Sequence, residues 1–176
     1  SADHTRYTHE AFDGHAHWYD ATGQNTYVPS SHDTSVGGII CSRGGALYPN
    51  DKGVAPSAEL YSVKVADDGI STLWLTNALD YLISQNCQVV VTAIQLSGTD
   101  VTPDGTSIWS RIYDYYAYEY NLVFATAAGN YEPSITVFGD TYNSITTGGL
   151  IGTAADLYDK IGTGSNPGPT ADGRLK

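Results

Sequence analysis

The stretch "QVVVTAIQLSGTDVTPDGTSIWSRIYDYYAYEYNLVFATAAGN", residues 88–130, decides the fold. It opens with a β-branched run, Gln88 to Ile94, suited to a strand buried on both faces. Ile108, Ile112 and Tyr116 then recur every four residues, and Trp109, Tyr113 and Tyr120 widen the stripe, which is helical spacing. Leu122 to Asn130 returns to an apolar run that ends at a Gly turn and reads as another buried strand. Strand, helix, strand argues for parallel pairing through a right-handed crossover.

Working outward, the same alternation continues. "STLWLTNALDYLIS" (Ser71–Ser84) sets Leu75, Ala78, Leu79, Leu82 and Ile83 at helical intervals, with Ser71 or Thr72 ready to cap. "AELYSVKV" (Ala58–Val65) alternates Leu60, Ser62 and Lys64 with Tyr61, Val63 and Val65, as a strand does. "SITTGGLIG" (Ser144–Gly152) supplies a further strand. The expected class is α/β, a mostly parallel sheet flanked by helices. The first thirty residues are polar and show no clear period, and the final "GTGSNPGPTADGRLK" is a turn-rich loop. No final element closes the sheet, so residues 1–176 read as one domain, and an incomplete one.

Composition narrows the function. The 176 residues carry 19 acidic against 8 basic side chains, a formal net charge of −11. Such a surface repels phosphate backbones and anionic membranes, so neither nucleic acid nor membrane is an expected partner. No run approaches the roughly eighteen apolar residues of a membrane span. No secretory leader opens the sequence, so any such signal is expected to lie upstream or to have been removed. Cys41 and Cys87 allow at most one internal disulfide, lack zinc-site spacing, and read as small buried apolar residues. His15 and His17, flanked by Asp13 and Asp20, would share one face of a strand and could share a metal, but loops rich in Asp and His are common without one.

Within the opening stretch, Gly105-Thr106-Ser107 has the form in which some hydrolases present a nucleophilic serine. Ser107 also follows a Pro103-Asp104-Gly105 turn at the start of an amphipathic helix, where Ser, Thr and Asp satisfy free N–H groups. His32 opens a short segment with glycines at 37 and 38, which let a helix lie close against a neighbouring backbone.

Four segments now fall into one order: "HDTSVGGII" (His32–Ile40), "KGVAPSAELYSVKVADDG" (Lys52–Gly69), "VFATAAGN" (Val123–Asn130) and "SNPGPTADGRLK" (Ser165–Lys176). Together they resemble the subtilisin-like serine peptidases (subtilases): the His-Gly-Thr-His-Val-Ala-Gly segment, the Gly-Val-Ala-Pro-x-Ala strand entry, the Ala-Ala-Gly-Asn segment and the Gly-Pro-Thr-x-Asp-Gly-Arg-x-Lys loop. The resemblance implies an endopeptidase acting on peptides or proteins outside the cell, with His32 as general base and Asn130 as oxyanion donor. Asp3 corresponds best to the triad aspartate, with a residue upstream of Ser1 as the competitor. Gly69 and Gly98 are, by the same resemblance, the expected counterparts of the family's substrate-binding edges. Asp33 and Ser35 stand where the family has Gly and a second His. The family order is Asp, His, Ser, with the serine after the Gly-Pro-Thr loop. Ser107 precedes Asn130, so it is expected to be a helix cap, and the nucleophile to lie in a further C-terminal segment or a companion chain. No organic cofactor is implied; a structural calcium ion is compatible with the family, with no ligands assigned. Two other classes compete: a non-catalytic, self-assembling extracellular module, and a metal-dependent hydrolase built on His15 and His17.

Overall fold

A computed structural model of the chain describes residues 3–96, 101–151 and 160–176. They pack as two compact units, one up to Ser84 and one from Gln85.

In the first unit, β1 (Ala16–Asp20) pairs in parallel with β2 (Leu60–Lys64), Ala16 opposite Leu60 and Asp20 opposite Lys64. Between them runs α1 (Ser31–Cys41). A two-residue hairpin, β3 (Ala66–Asp67) and β4 (Gly69–Ile70), leads into α2 (Thr72–Ser84). Phe12, Ala16 and Cys41 form the core beneath Tyr7, Ile40, Ala58 and Leu60. The Gly-Val-Ala-Pro segment closes the carbonyl end of α1, where carbonyls lack helical partners. Gly53, Val54 and Ala55 donate their N–H groups to the carbonyls of Ser42, Ile39 and Ile40 at 2.8, 3.0 and 2.8 Å. A Cβ at Gly53 would lie 2.6 Å from the Cys41 nitrogen, so only glycine permits this approach.

β1 lies in the stretch that shows no clear period, where a strand entered only as the condition for His15 and His17 to share a face. Its alternation is carried by His, Trp, Tyr and Asp, residues that do not read as a strand by hydropathy. β2 departs from clean alternation, because Ser62, Val63 and Lys64 are all buried. Ser62 accepts the Thr5 N–H at 2.9 Å and Lys64 reaches Asp67 at 3.7 Å, which compensates these polar groups.

The second unit is a three-stranded parallel sheet, β5 (Val89–Thr92), β6 (Val123–Ala127) and β7 (Ser144–Thr147), in the order 5-6-7. The crossover from β5 to β6 contains α3 (Ile108–Tyr120). Tyr113 stacks on Phe124 and Phe138 at 4.3 and 4.7 Å between ring centres, and its hydroxyl meets Thr92 Oγ1 at 2.8 Å. Burial pushes that phenol far above its ordinary pKa.

Two expectations are corrected here. The core face of α3 is Ser110, Tyr113 and Tyr116, whereas Ile108 is 55% exposed. Tyr113 and Tyr116 of the expected stripe do face inward, and in the first turn it is Ser110 that is buried, its hydroxyl donating to the buried Asp140 at 2.9 Å. β5 is buried on one face only. Val89, Val91, Val123 and Ile145, all on the other face of the sheet, are 59, 46, 46 and 61% exposed. Cys41 is buried, Cys87 is partly buried, and both are free thiols that burial pushes above their usual pKa.

Candidate active site

His32 occupies the first turn of α1 and is exposed. Ser30 caps this helix: its Oγ accepts the Asp33 N–H at 3.1 Å and donates to Asp33 Oδ2 at 2.6 Å. This reciprocal cap gives Asp33 a local role at the position where the family has glycine. Gly37, but not Gly38, is needed for close packing. A Cβ on Gly37 would meet Leu60 Cδ2 at 2.9 Å and Thr5 Cγ2 at 3.1 Å, while Gly38 has open space.

The segment after Asp3 runs along the entry to this helix. His4 bridges Pro29, Thr5 Oγ1 donates to the Asp33 carbonyl at 3.0 Å, and the Arg6 N–H donates to Thr34 Oγ1 at 3.0 Å. Asp3, partly buried, therefore precedes a segment laid along the turn that carries His32. His4 is wholly buried. Its Nδ1 accepts the Val28 N–H at 3.2 Å, which leaves Nε2 to donate to the Tyr19 carbonyl at 3.1 Å. Burial lowers its pKa, against the opposing pull of those backbone contacts.

Asn130 follows β6 at a sharp turn. Gly129 takes a φ of 101°, and Asn130 is exposed, with its N–H donating to Gln95 Oε1 at 2.6 Å and its backbone bridged to Ser165. Gly69, in β4, has a φ of 148°, a conformation that favours glycine, and nothing within 4 Å of a built Cβ. Gly98 lies outside the described residues.

Ser107 is the N-cap of α3. Its Oγ accepts the Ser110 N–H at 3.1 Å and lies 2.7 Å from Ser110 Oγ. Because Ser110 donates its proton to Asp140 Oδ1, the Ser107 hydroxyl is the donor to Ser110. Asp140 also accepts the Gly105 N–H at 2.8 Å, and its carbonyl accepts from Arg174 at 2.8 Å. Burial raises the Asp140 pKa, opposed by the bonds from Gly105 and Ser110.

His15 and His17 converge on Glu59, a residue the sequence reading did not single out. One carboxylate oxygen meets His15 Nδ1 and the other meets His17 Nε2 at 3.0 Å. The His15 bond, then the His17 bond, holds the Glu59 pKa below its usual range. Among the described residues, no group of three or more His, Cys, Asp or Glu side chains is placed to hold a metal ion. A cleft of about 790 Å³ in the first unit is lined by Tyr7, His9, His17, Trp18 and Tyr81 among others, and Asp3, His32 and Gly69 do not line it. No helix among the described residues is long and apolar enough to cross a membrane.

The sequence model of the subtilase family matches residues 4–176, a span that begins one residue after Asp3. Subtilisin E of Bacillus subtilis (strain 168) is 37% identical over 103 residues, covering 57% of this chain and 25% of that protein. Tripeptidyl-peptidase 2 of Arabidopsis thaliana is 28% identical over 172 residues, covering 83% of this chain and 12% of its own length. Among solved structures, the S41 psychrophilic protease superposes with a TM-score of 0.68 at 22% identity, over 93% of this chain and 56% of that one. The prenylagaramide maturation protease PagA gives 0.63 at 19% identity, over 84% of this chain and 51% of its own. These likenesses show the subtilisin-like α/β fold. The chain spans about a quarter of the length of Subtilisin E and about half the length of these structures.

Proposed function

The chain belongs to the subtilase family, and from that premise we propose that it is part of an extracellular serine endopeptidase whose nucleophilic serine lies outside these 176 residues. The family model crosses both units, which supports reading them as parts of one peptidase domain. In the proposed cycle His32 takes the serine proton as the oxygen attacks the scissile carbonyl, then returns it to the leaving amine. Water hydrolyses the resulting acyl-enzyme by the same route. Asp3 orients the imidazole. The Asn130 side-chain amide donates to the oxyanion, and Gly69 and Gly98 flank an extended peptide substrate.

The observation that carries this reading is the seating of the Asp3-bearing segment along the first turn of α1, through Thr5 to Asp33 and Arg6 to Thr34. Ser107 supports it from the other side, since its hydroxyl is committed to capping α3. The test is peptide hydrolysis by the full-length protein. His32→Ala abolishes turnover, and Asn130→Ala lowers kcat by about 10²–10³, the range for losing one oxyanion donor that was itself established in subtilisin. Turnover unaffected by either substitution would sink the assignment.

A second reading, a non-catalytic module that assembles with copies of itself, draws on the exposed apolar face of β5–β7. It predicts concentration-dependent assembly, seen by sedimentation, with no hydrolysis at any concentration.

A further inference from the structure

The turn that presents Asn130 is fastened from a distant loop by one buried side chain. Asn166 is 3% exposed. Its backbone N–H donates to the Gly129 carbonyl at 3.0 Å, and its Nδ2 donates to the Ala128 carbonyl at 3.2 Å. Its Oδ1 accepts the Glu132 N–H at 2.6 Å. The contacts thus grip the backbone on both sides of Asn130, two residues before it and two after. Gly129 is shaped to this grip: a Cβ there would come within 2.4 Å of Asn166 Nδ2. Gln95 adds a tie to the Asn130 N–H itself at 2.6 Å.

The direction of the Asn130 side chain follows from the peptide planes that flank it. An oxyanion donor contributes only if it is aimed before charge develops, to within a few tenths of an ångström. We propose that Asn166 is a positioning residue for Asn130, locking the turn so that its amide is pre-aimed. This rests on the reading of Asn130 as the oxyanion donor. Removing the Asn166 side chain does not strand the backbone, because the Thr136 N–H still donates to the Ala128 carbonyl at 3.1 Å and Glu132 is exposed to water. The loss therefore falls on aim and not on folding.

The test compares wild type, Asn166→Ala and Asn166→Asp in the full-length protein, by amide exchange in NMR and by peptide hydrolysis. In Asn166→Ala, exchange at Asn130 and Glu132 accelerates about tenfold or more while Phe124 and Thr126 keep their protection. kcat falls about tenfold with KM within about twofold, and in an Asn130→Ala background the same substitution changes kcat less than about twofold. Asn166→Asp keeps an acceptor for Glu132 and restores protection at that amide. Unchanged exchange at Asn130, or losses that multiply in the double variant, overturns the proposal. A wild type that hydrolyses nothing overturns the peptidase reading instead, and the exchange measurement then decides the positioning claim alone.

Discussion

Replacing Ser107 by alanine separates a helix cap from a nucleophile. The Ser107 Oγ accepts the Ser110 N–H at 3.1 Å and its proton goes to Ser110 Oγ at 2.7 Å, which relays to Asp140 at 2.9 Å. Losing an N-cap costs about 0.5–2 kcal/mol. Losing the donor to Ser110, which is wholly buried, adds about 0.5–1.5 kcal/mol. Ser107→Ala is therefore expected to lose about 1–3.5 kcal/mol of unfolding free energy in urea, and Ser107→Thr, which keeps both bonds, less than about 1 kcal/mol. Hydrolysis of a chromogenic peptide by the full-length protein stays within about twofold in both variants under conditions where they remain folded. A nucleophile obeys the opposite pattern, so a collapse of turnover with stability unchanged refutes the reasoning.

Asp140→Ala deprives the Gly105 N–H and the Ser110 hydroxyl of their acceptor, and at about 1–3 kcal/mol per stranded buried group it should destabilise by roughly 2–6 kcal/mol; a loss below about 1 kcal/mol in urea titration contradicts that network. Gly37→Ala should lower the melting temperature by pressing on Leu60 and Thr5, while Gly38→Ala, with open space and a better helix former, should raise it; equal shifts in calorimetry would show that the contact is absent. His4 has a folded pKa lowered by burial, so the unfolded chain binds the extra proton. Its stabilising contribution is complete above the ordinary value of about 6.5 and is lost as pH falls below it. The slope of unfolding free energy below that pH should be smaller in His4→Gln, and an unchanged slope would mean that His4 is not the group responsible.

The strand and helix order was legible because long apolar periods dominate it, yet the details failed where polar groups decide packing. The stripe expected for α3 was right at Tyr113 and Tyr116 but wrong at Ile108, which is exposed, and it omitted Ser110, since hydropathy gives no weight to a serine that reaches a buried aspartate. β1 was hidden because His17, Trp18 and Tyr19 sit at intermediate burial on both faces of the strand and the buried residue at its end is an aspartate, Asp20. Burial pushes the Asp20 pKa up, but bonds from Thr22 and Thr26 outweigh that and hold it below the usual range. At the site, His32 and Asn130 could be proposed from the order of short motifs. Gln95 and Asn166 could not, because their links to the Asn130 turn span 34 to 38 residues and exist only in the folded chain. Glu59 was missed for the same reason: 42 residues separate it from His17.

The most direct test of the central claim is labelling of the full-length protein from its native source with a serine-directed fluorophosphonate, followed by peptide mapping. The account predicts one labelled serine outside residues 1–176, with labelling abolished by His32→Ala. Label on Ser107, label that survives loss of His32, or no label at all on folded protein would contradict it.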